Sequence, residues 1–136
     1  MRKVLVFGTF DLFHPGHRSF LRQARRYGDK LYAVIARDRT VLAVKKALPL
    51  QDELSRLAAV RDSGLVDEAV LGSLRDKYLA IKKVRPDVIC LGYDQIYLTD
   101  TLASKLEQLG IATRIVKLKS YRPDIYKSSK LKAKQI

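Results

Sequence analysis

Val4-Leu5-Val6-Phe7-Gly8-Thr9-Phe10-Asp11-Leu12-Phe13-His14-Pro15-Gly16-His17 is the stretch on which fold and chemistry both turn. Its first four residues are uniformly apolar, the pattern of a short strand buried on both faces. Gly8 is expected to turn the chain sharply, so that the amides of Thr9 and Phe10 face an anion. His14 and His17 are the chain's two histidines, three positions apart where a helix should begin. Pro15 suits a first-turn position, and Gly16 leaves room for a ligand near the backbone. Two imidazoles at the positive end of a helix suit a phosphate. A single histidine is most often structural, but a pair in this setting points to a site. Zinc lacks further His or Cys ligands, and no GxxxxGK[ST] loop exists.

Outward from this stretch, short apolar runs alternate with helical periods. A helix is expected from about Gly16 to Tyr27, with Phe20, Leu21 and Ala24 on one face, arginines largely on the other, and Gly28 as its cap. Leu31 to Ala36 reads as a second strand, and 38–50 as a basic connection. Gln51 to Asp62 is a helix, Glu68 to Leu71 a strand, and Ser73 to Val84 a helix closed by Arg85-Pro86. Val88 to Leu91, a helix from Thr99 to Leu109 closed by Gly110, and a strand from Thr113 to Leu118 complete the order. The fold class is therefore α/β, a five-stranded parallel sheet with helices on both faces. Ligands of such sheets bind beyond the carboxyl ends of the strands. Those ends include Gly8 to Asp11, Arg37-Asp38, Gly72-Ser73 and Gly92 to Gln95.

The 136 residues suit one domain spanning 1–136, with 47% hydrophobic residues for its core. The net charge is +13 and concentrates at the two ends. Residues 1–50 hold eleven Lys/Arg against three Asp/Glu, and 117–136 hold seven against one. If the fold joins those ends, they make one site for an anionic partner. The basic segment 119–136 is expected to close over that site. Cys90 stands alone, which fits a reducing, cytoplasmic location without disulfides. No apolar run approaches the ~18 residues of a membrane span, and no signal peptide is expected. A nucleic-acid-binding module is the competing class. It leaves both histidines unexplained and lacks aromatic interleaving along residues 18–26.

Gly8 to His17 resembles the HxGH signature of the cytidylyltransferase-like nucleotidyltransferases, and the resemblance spans essentially the whole chain. It implies a Rossmann-like domain, an ATP or CTP substrate, Mg²⁺, a phosphomonoester acceptor and a homodimer. The family's C-terminal segment, R-T-x-G-I-S-[ST]-[ST]-K, is matched at Arg122, Ser128, Ser129 and Lys130. Ile125 replaces its glycine and Lys127 its first serine. That departure leaves room for a nucleotide-binding regulator without turnover.

The resemblance places His14, His17, Lys46 and Arg122 in catalysis. It gives Gly8, Thr9, Phe10, Gly16, Asp94, Tyr121, Ser128 and Ser129 to the nucleotide. Asp11, Asp38, Lys45, Arg56 and Gln95 go to the acceptor, Lys45 and Lys46 being alternatives for one triphosphate-reaching lysine. Asp11 is also the candidate Mg²⁺ ligand. Leu91-Gly92-Tyr93-Asp94-Gln95 is similar to the LGxDQ element of archaeal FAD synthases, which transfer AMP from ATP to FMN. Glycerol-3-phosphate cytidylyltransferases, the alternative, more often carry an acidic segment with tryptophan there, and this chain has no Trp. Tyr93, Tyr97, Tyr121 and Tyr126 are candidates to stack on a flavin ring.

Overall fold

The computed structural model describes residues 1–92 and 96–119. Its strands are β1 (Lys3–Gly8), β2 (Lys30–Ile35), β3 (Glu68–Leu71), β4 (Val88–Leu91) and β5 (Arg114–Lys117). They pair in the order β3-β2-β1-β4-β5, every pair parallel. Helices α1 (Pro15–Arg25), α2 (Asp38–Lys45), α3 (Glu53–Asp62), α4 (Leu79–Val84) and α5 (Ile96–Leu109) connect them.

The uniform apolarity of the inner strands follows from burial on both sides. Val4 and Val6 of β1 join Leu21 and Ala24 of α1 and Val60 of α3 in one core. Leu5, between them, points the other way, into a core with Ile81 of α4 and Leu102 and Leu106 of α5. The alternation of neighbouring side chains thus splits one strand between two helical layers. Chain order reverses direction at β1, flanked by β2 and β4. A ligand crevice is expected at the carboxyl end of that strand.

Several expected boundaries move for identifiable reasons. Residues 38–45 form α2 rather than an irregular connection. Its first turn is tied to Glu53, whose carboxylate accepts from Asp38 N while Asp38 accepts from Glu53 N. That cap comes from fifteen residues away, so no local signal announces it. The helix expected from Ser73 begins only at Leu79, because Ser73 Oγ accepts the amides of Arg75 and Asp76, and Asp76 that of Tyr78. Such side-chain acceptors favour turns over helix. Gly28 is not the cap of α1, which ends at Arg26 in right-handed conformation. Gly28 instead lies where a Cβ would stand 2.7 Å from the Arg2 carbonyl oxygen.

Candidate active site

The motif loop leaves β1 at Gly8, but the sharp backbone conformations fall elsewhere. Phe10 and Leu12 have φ of 54° and 52°, in the left-handed region. Phe10 folds its buried ring back over Gly8, where a Cβ would lie 2.5 Å from the ring. Gly8 is therefore needed for space, not for its turn. The same ring meets His17 edge-on, with centroids 5.4 Å apart, and packs near Phe13 and Phe20.

His14 and His17 cap α1 reciprocally. His14 is the N-cap, and its Nδ1 accepts from Gly16 N at 3.1 Å. His17, at the third helical position, accepts from His14 N through its own Nδ1 at 3.3 Å. The rings stack with centroids 3.7 Å apart and planes at 25°. This is a capping box in which two imidazoles replace the usual hydroxyl and carboxylate. An Nδ1 that accepts a bond must leave the ring proton on Nε2, so each neutral ring keeps an N–H to donate. Burial pulls the His17 pKa down to about 3; His14 and Lys45 push it the same way, against Asp11. Burial also lowers His14. Both imidazoles are neutral at pH 7.

A second group of side chains holds the loop. Asp11 is buried, and its two carboxylate oxygens accept from Leu50 N at 2.8 Å and Gln51 N at 3.0 Å. Gln51 Oε1 in turn accepts from Leu12 N. Arg56, fully buried, donates to Thr9 O at 2.8 Å, Gln51 O at 3.0 Å and Asp38 Oδ1 at 2.7 Å. Each left-handed non-glycine residue costs on the order of 1–2 kcal/mol, and these cross-links hold the strained loop in place. Arg56 was expected on the acceptor; the structure turns it inward, with every guanidinium nitrogen bonded to protein. Asp38 is likewise engaged by Arg56 and Glu53 N. Asp11, the candidate metal ligand, has both carboxylate oxygens on backbone amides, and among the described residues no group of three or more His, Cys, Asp or Glu could hold a metal ion.

Lys45, in the last turn of α2, reaches Thr9 Oγ1 at 3.3 Å. Lys46 is exposed and takes the left-handed cap of α2, with φ of 64°. Of the two alternatives, Lys45 is the one whose ammonium meets the loop. The sequence did not single out Gln51, Glu53 or Arg37 as site residues. Arg37 bonds Gly72 O and Glu53, locking the ends of β2 and β3 together beside α2. Asp94, Gln95, Tyr121, Arg122, Ser128, Ser129 and the tyrosines at 93 and 126 lie outside the described residues, as does the side chain of Tyr97. On α1, Arg25 pairs with Asp67 and Arg18 lies over the Phe13 ring, so its basic face is partly committed within the fold.

A family model described as Cytidylyltransferase-like matches residues 5–134. The chain belongs to this family. An FAD synthase from Methanohalophilus mahii is 43% identical over 118 residues, 87% of this chain and 82% of that protein. An FAD synthase from Thermoplasma volcanium is 39% identical over 134 residues, 98% of this chain and 94% of the relative. Among solved structures, a lipopolysaccharide core biosynthesis protein from Thermoplasma volcanium GSS1 aligns with TM-score 0.83 at 40% identity. That alignment covers 89% of this chain and 98% of the other.

Proposed function

We propose that this nucleotidyltransferase is an FAD synthase. An oxygen of the FMN phosphate attacks the α-phosphorus of ATP, the bond to the β-phosphate bridge breaks, and pyrophosphate leaves. The FMN phosphate is already a competent nucleophile, so the protein need only align it and stabilise the charge that builds on the α-phosphoryl and leaving oxygens. The observation that carries this chemistry is the pair of neutral imidazoles on the N-terminus of α1, with Lys45 beside them on Thr9. The two imidazoles, the Lys45 ammonium and the N-terminus of α1 lie together around one loop, a combination suited to a phosphate. The choice of FMN and ATP rests on the FAD synthases among the relatives and on Leu91 to Gln95.

Mg²⁺ in this account enters with ATP, held by phosphate oxygens and water. Asp11 is spoken for by two amides, so no step is assigned to a metal held by protein. The segment 119–136 is proposed to complete the same single domain by bringing Arg122, Ser128 and Ser129 to the triphosphate; Tyr121 and Asp94 are assigned to the nucleotide, and Gln95 to the acceptor. A homodimer is proposed from the family resemblance, with sedimentation as its check. Among the described residues no helix is long and apolar enough to cross a membrane. A cytoplasmic location fits the buried free thiol of Cys90. Pyrophosphate release from ATP and FMN tests the assignment, and turnover with CTP and glycerol 3-phosphate instead would replace it.

A further inference from the structure

Five of the eight large apolar side chains exposed among the described residues lie between positions 42 and 54. Of these, Leu42 and Val44 sit on α2, which buries only Val41. Isolated exposed leucines are ordinary, but a cluster on one short stretch marks a binding surface.

Its place relative to the site gives it an occupant. Leu42 precedes Lys45 by three positions on α2, so their side chains are neighbours on the helix surface. The Lys45 ammonium sits on Thr9, in the phosphate-facing loop. On the other side, Leu50 donates its amide to Asp11, two residues after Thr9, while its side chain is half exposed. Leu48 is 58% exposed between them, and Pro49 stiffens the connection. A cation flanked by leucines suits a ligand with an anionic head and an apolar body. Of the two proposed substrates, FMN has that character, with a phosphate at one end and a broad, methyl-bearing aromatic ring at the other.

We propose that Leu42, Leu48 and Leu50 form the surface on which the acceptor's aromatic ring rests, beside the lysine that meets its phosphate. The assignment rests on the FAD synthase reading and specifies which part of the protein selects a flavin. A sugar or polyol phosphate would gain nothing from these side chains, so they set acceptor preference without touching the reacting atoms.

The test uses the full chain with Leu42→Ser, Leu50→Ser and the double variant, read by steady-state kinetics, thermal melting and sedimentation. The KM for FMN should rise at least fivefold in each single variant and further in the double. The KM for ATP should stay within twofold, with the melting temperature unchanged. Leu42→Met and Leu50→Met should restore the wild-type KM for FMN. Riboflavin, which lacks the phosphate, should lose affinity in the serine variants in parallel. An unchanged KM for FMN, or an equal rise for both substrates, overturns the assignment while wild-type turnover leaves the reaction standing. Loss of a wild-type dimer in the double variant also overturns it, by showing that a second copy covers the patch. Absence of wild-type turnover with FMN would sink the reaction itself, and the ring site with it.

Discussion

His14 and His17 close the N-terminus of α1 together: Gly16 N donates to His14, and His14 N to His17, with the rings stacked 3.7 Å apart. The motif is thus a capping device at the place of the proposed phosphate site. Its spacing of three is the spacing of a capping box, and the proline and glycine between the histidines are the residues a first turn tolerates. Two imidazolium ions could not sit so close without repulsion, which keeps the pair neutral and donating. Neutral donors also bind a phosphate without having to take up a proton first.

Replacing His17 with alanine should therefore preserve the fold and lower turnover more than a hundredfold. Losing one aimed donor costs about 2.7–4 kcal/mol in comparable transition states. Pyrophosphate release and far-ultraviolet circular dichroism check the two halves. A near-normal rate would remove this histidine from catalysis.

The depressed pKa of His17 has a defined consequence for stability. Its folded pKa, about 3, lies below the usual 6.5, so between those values the unfolded chain binds more protons. Stability from this group is complete above pH 6.5 and is lost as pH falls toward 3. Asp52, Glu53, Asp67 and Asp76, lowered chiefly by hydrogen bonds to their carboxylates, add their own loss only near pH 4 and below. Denaturant melts from pH 7 to 5 should show a steeper slope in wild type than in His17→Gln, which keeps only the lowered His14; equal slopes would contradict the neutral pair.

Arg56 ties Thr9, Gln51 and Asp38 together from a fully buried position. Arg56→Ala would leave a carboxylate and two carbonyls short of a partner, at a cost of about 3–5 kcal/mol. Arg56→Lys should recover little, because an ammonium cannot reach three directions from one plane. Thermal melting with and without nucleotide decides the matter. A stable Arg56→Ala with only a raised acceptor KM would restore the acceptor role expected from sequence.

Gly8→Ala should destabilise the loop by about 1–3 kcal/mol, since its methyl group would meet the Phe10 ring at 2.5 Å. Gly8→Ala combined with Phe10→Leu should recover part of the loss. Chemical denaturation of the single and double variants measures the coupling, and strict additivity would rule out the steric account.

The sheet was legible because its signals are local. Val4 to Phe7, Glu68 to Leu71 and Val88 to Leu91 are apolar or apolar-rich runs bounded by turn residues, and the latter two fall where expected. The histidine pair was legible for the same reason, its spacing and helix-start context being contiguous. What escaped the sequence is non-local. Helix α2 depends on a cap from Glu53, and the loop's geometry on Asp11, Gln51 and Arg56 reaching across about forty residues. A helix arginine reads as solvated or ligand-bound until the carbonyl it holds is known. Lys45 and Lys46 are equivalent in sequence, and only the end of α2 separates them.

Pyrophosphate release with Mg²⁺, in a grid of ATP or CTP against FMN or glycerol 3-phosphate, tests the central claim most directly. The account predicts turnover with ATP and FMN alone, abolished by His17→Ala. Turnover with CTP and glycerol 3-phosphate alone would contradict the flavin assignment, and wild-type turnover in no combination would contradict the enzyme.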